Sequence, residues 1–339
     1  MKRSRLTLAE VATWDNLMQA FGQAALGKGG RADVEAYRNS LEVELVALRD
    51  GLLVGSYPLG AMRQFRIHDP KPRLIHAPCF AERVLHHALV AKMGPVLEQT
   101  LIYDTYACRQ GKGALAEVRR LQAHARRWPW YAQIDIRHYF PSIDHDVLMG
   151  QLRRKFSDHD LLNFVKRILA TGTQTPGHGL PIGALTSQTF ANFYLGPVDR
   201  LVSDHKSARG YVRYMDDMIW WADDKDALRN VLQEVVRFLG EVLKLQVKTP
   251  LQVGRSRDGI SYCGYRVHRD HLLLSRRRKR RYSAGRRTAE AMFAAGQIDA
   301  GELQRRFDAM LAITAHADAM TWRREQMKRA PLAPQLVEA

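Results

Sequence analysis

The stretch "GYVRYMDDMIWWADD", from Gly210 to Asp224, constrains this chain more than any other. Its apolar and aromatic residues read as a β-hairpin, yet two adjacent acids, Asp216 and Asp217, stand at its centre between Met215 and Met218. Asp is common in turns, so a solvated hairpin tip is one reading. A third acid changes the balance: in "QIDIRHYF", Asp135 also ends an apolar strand. A half-buried carboxylate needs a partner, because desolvating it unpaired is costly. On the expectation that no Lys or Arg pairs with these three, two Mg²⁺ ions would satisfy them all, since Mg²⁺ takes carboxylate oxygens together with substrate phosphates. Two such ions are the apparatus of in-line phosphoryl transfer. Spacing alone does not choose between a polymerase-like and a nuclease-like site.

Charge narrows the partner. Of 339 residues, 52 are Lys or Arg and 35 Asp or Glu, a formal net charge of +17 that favours a polyanion. No basic helix with a strong apolar face accompanies the excess, which points to nucleic acid rather than a membrane surface. No apolar run reaches the roughly 20 residues that span a bilayer. The basic N-terminus has no apolar segment of the secretory kind. Cys79, Cys108 and Cys263 are scattered without CxxC spacing, which argues for a reducing, cytoplasmic setting and against a disulfide frame or zinc site.

Periodicity predicts one helix through Val11, Trp14, Leu17, Met18 and Phe21, and a second through Val34, Leu41, Leu45 and Leu48 that stops at Asp50-Gly51. A hairpin with a basic tip is expected in "MRQFRIHDPKPRLIHAP". Helices follow in "ERVLHHALVAKMGPVLEQTL" and "LAEVRRLQAHARRW". After the strand ending at Asp135 come a helix capped in Asp144-His145-Asp146, a Gly/Pro-rich loop, and one helix over "ALTSQTFANFYLGPVDRLV". The acidic hairpin, a further helix, strands in "LQVKT" and "ISYCGYRV", and a basic helical tail complete the chain. This order predicts an α+β fold whose sheet is covered on one face by helices.

"YMDD" at 214–217, preceded by "DIRHYF" at 135–140, resembles the palm of reverse transcriptases. The order matches as well: "KPRLI" at 71–75, Asp135, "GLPIGALTSQTFANFYL" at 179–195, the double Asp, Lys248 and "CGYRV" at 263–267. The resemblance implies a right-hand polymerase with fingers, a palm with an antiparallel sheet, and a short helical thumb. Residues 1–30 would be an N-terminal helical extension, 31–130 fingers, 131–266 palm with a finger insertion around 151–178, and 267–339 a basic thumb. Asp135, Asp216 and Asp217, with Ile136 beside them, would hold two Mg²⁺ ions. Lys71 and Arg73 would grip the triphosphate of an incoming dNTP. Phe140 resembles an aromatic gate against a ribose 2′-OH, Lys248 the lysine that protonates leaving pyrophosphate, and Cys263-Gly264-Tyr265 the turn that holds the primer end.

The loop entering the helix after "GLP" narrows the resemblance. Ile182, Gly183, Ser187 and Gln188, in "IGALTSQ", occupy the substrate-binding positions, and Ile182 replaces the Gln of many relatives. With "YDTYACRQGKG" at 103–113 and "TWDNLMQAF" near the N-terminus, this form is similar to the reverse transcriptases of diversity-generating retroelements. Members copy a template-repeat RNA with errors opposite adenines, and they work with a small basic pentameric protein, the accessory variability determinant. An antiphage-defence reverse transcriptase and a catalytically inactive RNA-binding relative stand as alternatives.

Overall fold

The computed structural model describes residues 3–60, 62–68, 72–172 and 175–329. The chain opens with α1 (Leu8–Val11), closed at its start by a capping box in which Thr7 and Glu10 satisfy each other's backbone N–H groups. The single helix expected here is two: α2 (Trp14–Ala25) starts afresh because the buried Asn16 amide donates to the Val11 carbonyl at 2.8 Å. Next come α3 (Ala32–Asn39) and α4 (Leu41–Leu53), where one helix ending at Asp50-Gly51 was expected. The break falls at Ser40 instead. The helix runs through Gly51 because Tyr57 packs there, 3.0 Å from where a Cβ would stand.

The expected hairpin forms from β1 (Met62–His68) and β2 (Pro72–Pro78), antiparallel from Met62↔Pro78 to His68↔Pro72. After it in the chain come α5 (Phe80–Glu98) and α6 (Ala114–Arg127). A four-stranded antiparallel sheet forms the centre, in the order β4 (Gly210–Tyr214), β5 (Asp217–Ala222), β3 (Trp130–Asp135), β6 (Gln252–Arg255). "LQVKT" makes only one bridge, Val247↔Ile136, and the edge strand β6 forms a few residues later.

Helices covering one face were expected; both faces are covered. Alternate residues of a strand point to opposite sides. The fully buried Trp220 therefore joins the core with α5, α10 and α12, while its fully buried neighbour Trp221 joins one with α6 and a second sheet. That second sheet is β7 (Ile260–Tyr262), β8 (Tyr265–Val267) and β9 (Leu272–Leu274).

Between β3 and β4 run α7 (Tyr139–Ser142), α8 (His145–Arg153), α9 (His159–Leu169), α10 (Leu185–Tyr194) and α11 (Gly196–Asp204). Asp144 caps α8 by accepting from the Val147 N–H, as expected. The single helix expected over α10 and α11 breaks at Leu195, where Pro197 starts the new helix without an N–H to give. After β5, α12 (Lys225–Glu241) crosses the sheet, and α13 (Arg276–Ala294), α14 (Ala300–Thr314) and α15 (Met320–Arg329) form the helical tail.

Candidate active site

Register brings the acids together. Asp135 is the last residue of β3 and lies directly opposite Asp217, the first of β5. Asp217 closes the hairpin with Tyr214, so the turn consists of Met215 and Asp216 alone. Met215 has φ +57°, a left-handed conformation that costs a non-glycine residue on the order of 1–3 kcal/mol. Arg213 holds it there. Its guanidinium donates to the Met215 carbonyl at 2.9 Å and to Asn192 Oδ1 at 2.9 Å, while Asp199 accepts from its Nε and Nη2 at 2.6 Å each. Arg213 and Asp199 are both fully buried. Burial works against the guanidinium charge, but Asp199 more than offsets it and raises the Arg213 pKa.

The acids themselves are in the opposite condition. Desolvation, with the Asp135 charge next in size, pushes Asp216 up to about 6. Desolvation pushes Asp217 up to about 7, against a hydrogen bond from Gln133 Nε2 at 3.1 Å and with help from Asp135 and Asp216. Lys248 Nζ lies 2.5 Å from Asp135 Oδ2, so the expectation that no basic residue pairs with the acids is corrected. The lysine arrives through the single Ile136↔Val247 bridge, in which Lys248 N–H donates to the Asp135 carbonyl at 2.8 Å. Because residues 135 and 137 make the bonds of that bridge, the Ile136 carbonyl points away from it, toward the β4–β5 turn.

Among the described residues no three His, Cys, Asp or Glu side chains already surround one point as they would a bound ion. The donor set nonetheless fits an oxygen-seeking divalent cation. Asp135 Oδ1 is buried without a hydrogen-bond partner, and both neighbouring carboxylates are held above their ordinary range by desolvation first and then by like charge.

A cleft of about 500 Å³ opens beside the turn. Arg73 of β2, Ile136, Phe140 of α7, Ile182, Asp216 and Lys248 all line it. Lys71 lies outside the described residues. Phe140 packs edge-on against Tyr139, whose hydroxyl is anchored on the Ala191 carbonyl. Gly183 does not line the cleft. Its φ is +127°, and a Cβ would stand 2.7 Å from the His76 carbonyl, so glycine there lets the loop cross β2, where His76 N–H donates to Ile182 O at 2.8 Å. Ser187 is buried in α10, and Gln188 Oε1 lies 3.6 Å from the Cys108 sulfur; neither reaches the cleft wall.

Cys263 and Gly264, both with positive φ, form the two-residue turn between β7 and β8. Burial pushes the Cys263 thiol up, which makes it a packing group rather than a nucleophile. Arg278 stacks on Tyr265 with 4.0 Å to the ring centre. This turn meets the acids through Tyr262, whose hydroxyl donates to Glu117 at 2.6 Å and lies 3.4 Å from the Asp217 carbonyl. Glu117 is fully buried, and desolvation pushes it up to about 8.

Sequence reasoning missed Arg213, Asp199, Gln133, Glu117 and Tyr262. For Arg213 a signal existed: a lone Arg within an apolar strand requires a buried acid.

Comparison with known proteins gives the family. A family model for reverse transcriptase (RNA-dependent DNA polymerase) matches residues 67–266. The protein YkfC of Escherichia coli is 24% identical over 281 residues, 68% of this chain and 72% of that protein. The group II intron-encoded protein LtrA of Lactococcus lactis is 25% identical over 167 residues, covering 46% of this chain and 27% of LtrA. Among solved structures, an apo telomerase from Candida tropicalis truncated from its C-terminal domain superposes with a TM-score of 0.47 at 11% identity, over 64% of this chain and 55% of that one. No helix among the described residues is long and apolar enough to cross a membrane.

Proposed function

Because the chain belongs to the reverse transcriptase (RNA-dependent DNA polymerase) family, with its α+β right-hand polymerase fold and its RNA-directed DNA polymerase activity, we propose that it makes error-prone cDNA from a template-repeat RNA to diversify a target gene. Residues 31–130 then act as fingers, 131–266 as palm and 267–339 as thumb, with 1–30 as a helical extension.

In this reading Asp135, Asp216 and Asp217, with the Ile136 carbonyl, hold two Mg²⁺ ions. When bound, those ions would lower the pKa of the primer 3′-hydroxyl and stabilise the leaving pyrophosphate. The remaining work falls to the protein's own side chains. Arg73, with Lys71, clamps the triphosphate, the guanidinium fork matching two phosphate oxygens. Phe140 fills the space a ribose 2′-OH would need, which selects dNTPs. Lys248 leaves Asp135 and gives its Nζ proton to pyrophosphate. The Cys263–Tyr265 turn holds the primer end, and Tyr262 ties that turn to Asp217.

The observation that carries the mutagenic part is Ile182, an apolar side chain in the wall of the cleft that also holds Arg73, Phe140 and Asp216. A Gln there could hydrogen-bond the nascent pair or its strand and penalise a misplaced base; Ile cannot. One such bond is worth about 1 kcal/mol, enough to relax discrimination several-fold. The partner in this reading is the basic pentameric accessory variability determinant. Both proteins being basic, an RNA bridge or a local acidic patch would join them.

The test is primer extension with Mg²⁺ and dNTPs on an RNA template containing adenines. Wild type is expected to extend, Asp216→Ala to give no metal-dependent product, and Ile182→Gln to misincorporate several-fold less opposite adenine. An error spectrum unmoved by Ile182→Gln overturns the role of Ile182. Wild type that binds RNA without extending it overturns the polymerase reading of the site.

A further inference from the structure

A second cleft, of about 590 Å³, lies between α8, α11 and α12 and shares no lining residue with the first. Its rim is basic: Arg154, Lys155 and Arg200 all line it. None of the three has an acidic partner within ion-pair distance among the described residues. Arg200 spends one N–H on the Thr100 carbonyl at 2.6 Å, and the Lys155 pKa is lowered, by desolvation first and then by Arg200 and Arg154. Such mutual repulsion is unfavourable unless an anion relieves it. The floor is apolar, with Phe193, Phe238, Val242 and Leu243. At its base Gln151 is 5% exposed, its Nε2 donating to Tyr194 O at 3.1 Å and its Oε1 without a partner.

Two glycines keep the cleft open. Gly150, within α8, and Gly196, at the start of α11, both line it, and a Cβ at either would meet nothing within 4 Å. Glycine inside a helix costs about 1 kcal/mol relative to Ala. Packing does not require it at Gly150, so the open space is what glycine supplies there. The basic surface also continues past the cleft. Ser4 N–H donates to the Lys155 carbonyl at 2.7 Å, which places the exposed Arg3 and Arg5 alongside.

We infer that this cleft binds an unpaired segment of the template RNA, outside the stretch being copied, with phosphates on Arg154, Lys155 and Arg200 and a base against Phe238 and Val242. The volume suits one nucleotide. A positive rim beside an aromatic floor is the general means of holding single strands without reading their sequence. The chain's +17 charge favours a polyanion over an acidic peptide, and a reverse transcriptase carries a long RNA whose uncopied part leaves the active cleft. The inference rests on the family, not on the mutagenic reading.

The test uses the full chain with its active cleft saturated by a short primer–template duplex, and measures binding of a labelled unpaired RNA against salt. Arg154→Glu/Lys155→Glu, which leaves the Arg200–Thr100 bond in place, should weaken that RNA about tenfold or more. Removing all three charges should lower the salt slope by about 2, since each phosphate contact on a single strand contributes about 0.7. Gly150→Leu should fill the cleft and weaken RNA binding while melting no lower than wild type, which separates a blocked site from a damaged fold. All these variants should extend the short duplex at the wild-type rate. RNA affinity unchanged in Gly150→Leu and in the charge reversal overturns the inference, as does a loss matched by equal loss of extension on the short duplex.

Discussion

Two acid–cation pairs adjoin the β4–β5 hairpin, one through Arg213 of β4 and one through Asp135 opposite Asp217, and they are built oppositely. Arg213 and Asp199 are wholly buried, joined by two 2.6 Å bonds, and every donor direction of the guanidinium that faces the turn is occupied. Lys248 and Asp135 are also close, at 2.5 Å, but their side chains are 42% and 44% exposed, and Asp135 keeps a second oxygen without a partner. The first pair cannot exchange partners without unmaking the strained Met215 turn. The second can, because water and a divalent ion can both replace an ammonium on an open carboxylate. The hairpin therefore has a permanent cation that shapes it and, beside it, a replaceable one that the proposed reaction would displace.

Breaking the permanent pair should have the largest effect. Arg213→Ala leaves Asp199 buried and uncompensated, and losing one partner of such a pair costs about 3–5 kcal/mol. The Met215 carbonyl loses its anchor at the same time, so denaturant unfolding should show that loss and primer extension should fail with it. Arg213→Lys, which cannot span Asp199, Asn192 and Met215 together, should recover only part of the stability. A variant as stable as wild type would show that the turn is held by something other than Arg213.

The replaceable pair should behave in reverse. Lys248→Ala is expected to change stability by less than about 1 kcal/mol, the range of exposed ion pairs. Its rate of nucleotide addition should fall about 10²-fold or more, the range of a lost general acid. Single-turnover extension beside equilibrium unfolding separates the two. A stability loss as large as that of Arg213→Ala would make Lys248 a structural group and end the contrast.

The same contrast explains what could be read from sequence. Asp216, Asp217 and Asp135 are legible because each interrupts an apolar strand, a local conflict visible without a fold. The β1–β2 hairpin, α5, α6 and the cap at Asp144 are legible for a like reason: periodicity and capping act over a few residues. Lys248 is not legible as the partner of Asp135, since one bridge after a long excursion brings it in, and its own neighbourhood forms no strand. Arg213 and Asp199 were readable in principle, for an Arg inside "GYVRY" has to find an acid. The second covered face went unread because both Trp220 and Trp221 look apolar in sequence, and only the alternation of β5 sends them to different cores. The run of α4 through Gly51 depended on Tyr57 packing there, and the break at Leu195 on Pro197, tertiary and local details that override helical periodicity.

The smallest effect is the most specific to the open site. Folding holds Asp216 up to about 6 and Asp217 up to about 7, while an unfolded Asp titrates near ~3.9. For an acid raised on folding, the folded state binds the proton more tightly, so stability falls as pH rises from about 4 through 6 and 7 and is level above. Metal binding needs the ionised carboxylates and relieves the repulsion that raised them. Magnesium should therefore raise the melting temperature of wild type at pH 8, and that shift should shrink through pH 7 and 6 and be absent by about pH 5. In Lys248→Ala at pH 8 the shift should begin at a lower Mg²⁺ concentration, because no ammonium competes for Asp135. In Asp216→Asn/Asp217→Asn it should vanish at every pH. A magnesium shift that persists at pH 5, or one indifferent to both sets of substitutions, would place the ion elsewhere and leave the Lys248–Asp135 contact as an ordinary surface pair.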